Sequence, residues 1–232
     1  MIESLKRKVK RIVRGRVDFG DLGGTRPISP QFGFERGTPI DRYYIDAFLE
    51  RNRSAIFGSI LEVGDDSYTK RFGGERVARA DILHIDAASP RATITGDLSD
   101  RSTLPEAEFD CAIITQTIHL IYDMRASVQN LYRSLKPGGT LLLTSPGITP
   151  VARDRWQDTW FWSMTPAGAR KLFGEVFGDE HVEVDFYGNV FASIALLTGV
   201  ATEEVSKRKL DVKDESYPVI VAVRGTRRSA GG

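Results

Sequence analysis

An α/β fold built on a parallel sheet, with helices on both faces, is predicted by three observations. Short apolar runs alternate with amphipathic stretches from about residue 59 to residue 224, the pattern of strand–helix–strand units. The runs are rich in Ile, Leu and Val, as strands covered on both faces tend to be. Two of them end in an acid: Ser59-Ile60-Leu61-Glu62-Val63-Gly64 and, 22 residues after Gly64, Leu83-His84-Ile85-Asp86. Carboxyl ends of neighbouring parallel strands are where open α/β sheets bind nucleosides. The phosphate-cradling G-x-G-x-x-G is missing, because Gly64 is followed by Asp65, Asp66 and Ser67. The pattern therefore predicts a nucleoside site without a pyrophosphate cradle.

The elements follow in order. Residues 15–40 are rich in Gly and Pro and read as irregular chain. A helix is expected next, capped by Thr38, with Pro39 in its first position and an apolar stripe at Ile40, Tyr43, Tyr44, Ala47 and Phe48. Strands are expected at 59–63, 81–86, 92–95, 110–115 and 140–144. The first crossover reads as a helix of only about two turns, from Asp66 or Ser67 to Gly73-Gly74. A clear helix at 125–135 is stopped by Lys136-Pro137-Gly138-Gly139. Thr165-Pro166 opens another helix through Phe177. A sixth strand is expected at 181–187, a helical stretch near 190–197 and a seventh strand at 218–224. The resulting division is a basic N-terminal helix (1–16), a lid segment with its helix (17–57), a main domain (58–225) and a polar tail (226–232).

Composition narrows the functional classes. With 232 residues, 41% of them hydrophobic, the chain can bury one sizeable core. A formal net charge of +1 argues against a nucleic-acid binder. The single cysteine, Cys111, excludes an internal disulfide and fits a reducing, cytoplasmic setting, and no Cys/His cluster has metal-binding spacing. No apolar run approaches a membrane span, and the N-terminus has the charges of a signal peptide without its apolar region. Residues 1–16 carry seven cations against the single Glu3, with Ile2, Leu5, Val9, Ile12 and Val13 near one helical face. Such a segment is either a solvated terminal helix or a peripheral contact with an anionic membrane.

The order of motifs resembles that of the class I S-adenosylmethionine-dependent methyltransferases. Leu61-Glu62-Val63-Gly64 resembles their first motif, Asp86 the acid that holds the ribose hydroxyls, and Gly96-Asp97-Leu98 the adenine-contacting pair. Leu135-Lys136-Pro137-Gly138-Gly139-Thr140-Leu141 is similar to the turn before the fifth strand. The resemblance implies a Rossmann-like, seven-stranded, mostly parallel sheet whose last strand is antiparallel, and S-adenosylmethionine as cofactor. Phrases such as Phe34-Glu35-Arg36-Gly37-Thr38-Pro39, Tyr68-Thr69-Lys70-Arg71-Phe72-Gly73-Gly74 and Tyr187-Gly188-Asn189-Val190 resemble methyltransferases encoded near glycosyltransferases. They imply O-methylation of a saccharide or glycosylated metabolite.

Candidate residues follow from this chemistry. Asp86 and Asp97 are acceptors for ribose hydroxyls and an adenine amine, or else turn residues. Glu62 among apolar neighbours requires a partner, and Gly64 and Asp65 line the same turn. Arg36 or Arg42 is expected to pair with the cofactor's carboxylate, supported by Tyr43. Gln116 and Thr117 are expected to line the cofactor. His119, in the loop after the fourth strand, is the leading base for removing an acceptor proton, or else a packed histidine. Asp123 is the alternative base. His84 reads as core. Trp156, Trp160, Phe161 and Trp162 form either an acceptor wall or a core patch; Asp154 and Asp158 are candidate hydroxyl acceptors or solvated acids. Two rival functions remain open: a methyltransferase-like protein that binds the cofactor without methyl transfer, and a nucleotide-dependent oxidoreductase.

Overall fold

The computed structural model describes residues 20–229; the expected basic helix at 1–16 lies outside them. Seven strands form one sheet: β1 (Gly58–Val63), β2 (Val77–His84), β3 (Ile94–Thr95), β4 (Phe109–Thr115), β5 (Leu135–Pro146), β6 (Val182–Tyr187) and β7 (Ile220–Thr226). Their spatial order is β3-β2-β1-β4-β5-β7-β6. The pairs from β3 through β5 are parallel, and β7 runs antiparallel between β5 and β6. The Rossmann-like mostly parallel sheet with an antiparallel last strand is therefore present. The chain steps outward from β1 to β3 and then returns to β4. The switch point, where open sheets leave a ligand crevice, lies between β1 and β4.

Helices cover both faces, and strand alternation decides which residues meet them. On one face Ile60, Cys111, Ile113, Leu142, Ile220 and Ala222 pack under α1 (Ile40–Arg51) and α4 (Val190–Thr198). On the other, Leu61, Ala112, Ile114, Leu141, Val221 and Val223 pack under α2 (Met124–Ser134) and α3 (Pro166–Phe177). Each of these strand residues is fully buried. Cys111 is a free thiol in this core, and burial pushes its pKa up.

Local chemistry sets the helix starts. Asp123 caps α2 by accepting from the Ala126 N–H at 2.9 Å, Thr165 caps α3 through Gly168 at 3.1 Å, and Asn189 caps α4 through Ala192 at 3.0 Å. Three expectations need correction. Thr38 does not cap α1: its hydroxyl donates to Glu203 at 2.7 Å, and Pro39 bridges to Ala201 instead. The Lys136-Pro137-Gly138-Gly139 turn is a bulge inside β5, since Leu135 stands opposite Phe109 and Thr140 opposite Cys111. Lys136 is held there at 2.7 Å from Asp110, which also accepts from the Ser59 N–H. The short helix expected in the first crossover is present over residues 67–73, but it is wound with π geometry at Thr69–Gly73 and closed by a 3-10 turn at Gly74–Arg76.

Residues 15–44 are expected to fold over the site. Among the described residues of that segment, 29–38 run along the end of α4 and the loop after it. Ser29 N–H donates to the Thr198 carbonyl at 3.1 Å, and Arg36 pairs with Glu204. Only the start of α1 reaches the crevice.

Candidate functional site

A cavity of about 850 Å³ opens at the carboxyl ends of β1 to β4, within the size range of small-molecule sites. From β1 and its turn come Glu62, Gly64 and Asp65; after β3, Asp97 and Leu98; after β4, Gln116, Thr117 and Asp123. The loop after β5 contributes Trp156, and α1 contributes Arg42. The structure thus gathers most of the residues singled out from the sequence into one crevice at the switch point.

Glu62 is 3% exposed, and its carboxylate accepts the backbone N–H groups of Tyr68 at 3.1 Å and Thr69 at 2.8 Å. It therefore pins the start of the π-wound crossover to β1. Burial pushes its pKa up to about 7, against the pull of those donors. The unfolded chain ionises near 4.5, so this carboxyl contributes its stability fully below pH ~4.5 and loses it as pH rises through about 7. Glu62→Gln is expected to flatten that slope. Between pH 5 and 8 the wild type should lose on the order of 3 kcal/mol relative to the variant in urea unfolding; parallel pH profiles would contradict the assignment.

Gly64 sits at φ +86°, and a Cβ built there would meet no protein atom within 4 Å. The turn therefore presents bare backbone to open space, as close approach of a ligand requires. Asp65 replaces the glycine expected of a phosphate loop. Burial works against its ionisation, but the Ser67 donors, Arg91 and Arg42 together hold its carboxyl below the usual range. Arg42, rather than Arg36, is the cation at this end of the cavity. It lies 3.8 Å from the buried Asp41 carboxylate, which also accepts from Gln116 Nε2 at 3.2 Å. Gln116 itself is held at φ +47°, a strained conformation for a non-glycine residue that tends to mark functional turns.

Eight candidate site residues fall outside the cavity lining. Arg36 is engaged by Glu204. Tyr43 donates to Asp211 at 2.6 Å, which pushes its pKa up to about 12. Asp86 follows the end of β2 by two residues; its carboxylate closes a local turn by accepting from the Ala88 N–H at 2.9 Å and is exposed. His84, read as core, lines the cavity instead, with its Nδ1 accepting from the Asp86 N–H at 2.9 Å. His119 is 2% exposed, its ring 4.4 Å from that of Trp160. Neither of its ring nitrogens has a hydrogen-bond partner among the described residues. Burial pushes its pKa down to about 3, so the imidazole is neutral and sealed from the cavity. Trp160 continues this packing by stacking on Phe32 at 6.2 Å, and Trp162 donates to the Ile121 carbonyl at 3.1 Å. Asp154 also turns inward on its own loop, accepting from the Trp156 N–H at 2.8 Å, and neither it nor Asp158 lines the cavity.

The structure adds residues that sequence reasoning missed. Tyr122 and Arg155 line the cavity with Asp123 and Trp156, together with Phe161 of the expected aromatic cluster. Tyr122 contacts Phe161 edge-to-face at 5.5 Å and Trp162 at 5.7 Å, and Arg155 lies 4.6 Å over the Trp156 ring. The Phe161 and Trp162 N–H groups both donate to the His119 carbonyl, at 3.1 and 3.2 Å. The part of His119 that serves this rim is therefore its backbone. Tyr122 adjoins Asp123 and Arg155 adjoins Trp156 in the chain, which was the available signal. Among the described residues no His/Cys/Asp/Glu group is arranged to hold a metal.

Comparisons with known proteins agree with this geometry. Residues 66–143 match the family model described as a methyltransferase domain, from just beyond Gly64 into β5. No curated protein sequence matches the chain. Among solved structures, it is similar to a SAM-dependent methyltransferase from Archaeoglobus fulgidus, at 12% identity and a TM-score of 0.54, over 80% of this chain and 94% of that one. It is also similar to the N-methyltransferase NodS from Bradyrhizobium japonicum in complex with S-adenosyl-L-homocysteine, at 15% identity and a TM-score of 0.50, over 89% and 94% of the two chains. A third is the [4+2]-cyclase SpnF, at 13% identity and a TM-score of 0.53, over 81% of each chain. The segment 66–143 that matches a methyltransferase domain model is thus set in a sheet with the fold seen in solved S-adenosylmethionine-dependent methyltransferases.

Proposed function

We propose that the protein transfers a methyl group from S-adenosylmethionine to a hydroxyl of a saccharide or a glycosylated small molecule. The observation that carries this reading is the two-ended cavity. One end offers the open backbone at Gly64 with Arg42, Glu62 and Asp97. The other offers an aromatic rim around a single carboxylate, Asp123. The first end fits the cofactor: Arg42 suits a carboxylate, and Asp97 beside the buried Leu98 suits an amine on a flat ring. Bound there, the cofactor supplies an electrophilic methyl group on a sulfonium, open to in-line attack. Trp156, Phe161 and Tyr122 hold a sugar ring by its apolar face and exclude water. Asp123, the carboxylate among them, takes the proton of the attacking hydroxyl. The sealed His119 leaves this role to Asp123.

Calorimetry with S-adenosylmethionine and S-adenosylhomocysteine tests the first half of the reading, with micromolar dissociation expected, roughly −8 kcal/mol. Absence of binding overturns it. A panel of saccharide acceptors analysed by mass spectrometry tests the second half. Tight cofactor binding without a methylated saccharide would favour a protein that binds the cofactor for another purpose. The fold accommodates that alternative, since the similar SpnF is a cyclase.

A further inference from the structure

The outer face of α4 is unlike that of an ordinary surface helix. The nine residues Val190–Thr198 contain no charged side chain. Ala192, Ala195 and Leu196 face the core, while Val190, Ile194 and Leu197 are 48%, 41% and 44% exposed. These three recur at i, i+4 and i+7 and so form one row along the helix. A helix face turned to water normally carries polar residues. The row continues beyond α4: a shallow pocket of about 380 Å³ joins Leu197 to Val151, Pro27 and Pro30, and Val151 and the adjoining Ile28 are also exposed. Arg153 is the cation at its edge.

Pro27, Ser29 and Pro30 pass this end of the row. Ser29 is hydrogen-bonded to Thr198 at 3.1 Å, and the segment N-terminal to it leads back to residues 1–16, with their seven cations against one acid. We propose that the aliphatic row of α4, with Ile28 and Val151, is a peripheral contact for an anionic lipid surface, toward which residues 1–16 supply the charge. Aliphatic side chains enter the headgroup boundary while neighbouring cations meet anionic headgroups. A second copy of the chain fits less well, since both copies carry the same excess of cations in residues 1–16. A nucleic acid would call for stacking aromatics, and the row has none.

The test is co-sedimentation of the full chain with vesicles of phosphatidylcholine alone or with added phosphatidylglycerol. Binding to the anionic vesicles is expected to be at least about tenfold stronger and to fall in about 0.5 M salt. The double variant Ile194→Asp/Leu197→Asp, outside the cavity, should weaken it about tenfold while the protein stays folded and its cofactor affinity is unchanged. Deleting residues 1–16 provides an independent second variant and should bring anionic binding down to the neutral level. Equal binding to both vesicle types, no binding, or full binding by either variant overturns the proposal. So does a dimer that the double variant converts to monomer, which would assign the row to a second copy.

Discussion

Asp123→Asn is expected to lower kcat toward a saccharide acceptor by roughly 10²–10⁴-fold, the range lost when a positioned general base is removed. The substitution separates chemistry from folding. Asp123 is also the N-cap of α2, accepting from the Ala126 N–H at 2.9 Å. Asn caps helices about as well as Asp, so stability should change by no more than about 0.5 kcal/mol. The side chain keeps its size and its place in the cavity lining, and only its ability to accept a proton is lost. Affinity for S-adenosylmethionine should stay within about threefold, because the cofactor end of the cavity is built from other elements. A fall in kcat of less than about tenfold would remove Asp123 from the base role. A matching loss of cofactor affinity would instead make it a binding residue.

Gly64→Val is expected to abolish useful cofactor binding. At φ +86° a β-branched residue is strained, at a cost of roughly 2 kcal/mol and a Tm lower by about 4–8 °C. The larger consequence is in the cavity. No protein atom lies within 4 Å of a Cβ at this position, so the valine side chain would fill space left open for a ligand. Affinity for S-adenosylmethionine should fall at least about a hundredfold, equivalent to roughly 2.7 kcal/mol of overpacking. Unchanged affinity in a folded Gly64→Val protein would show that the cofactor does not pass over this turn.

Much of the sheet was legible in the chain because strand alternation and helix punctuation are local. Thr165-Pro166 and Gly178 bracket α3 within a residue of its observed bounds, Thr165 bonding the first turn as its sequence implies. β5 was harder. Its pairing with β4 tolerates the Lys136-Pro137-Gly138-Gly139 bulge, which local turn signals read as a break between elements. Cavity lining was legible where position at a strand end decides it: Glu62, Gly64, Asp97, Gln116 and Thr117 all reach the cavity. It failed where a partner distant in sequence decides. Arg36 and Arg42 read alike until Glu204, 168 residues away, takes the first. His119 read as a base until Trp160 closed over it.

The sequence by itself determined the α/β class and the strand ends at which the cavity opens. Those features follow from periodicity and from the side-chain chemistry of contiguous residues. Only the tertiary structure decided which histidine is sealed, which arginine faces the cavity and that, of the aromatic cluster, Trp156 and Phe161 line the cavity beside Tyr122 while Trp160 and Trp162 do not. The same holds for the bare aliphatic row on α4. The reason is physical: a side chain's solvent exposure, protonation and partners depend on what packs against it, and here the packing comes from segments far apart in the chain.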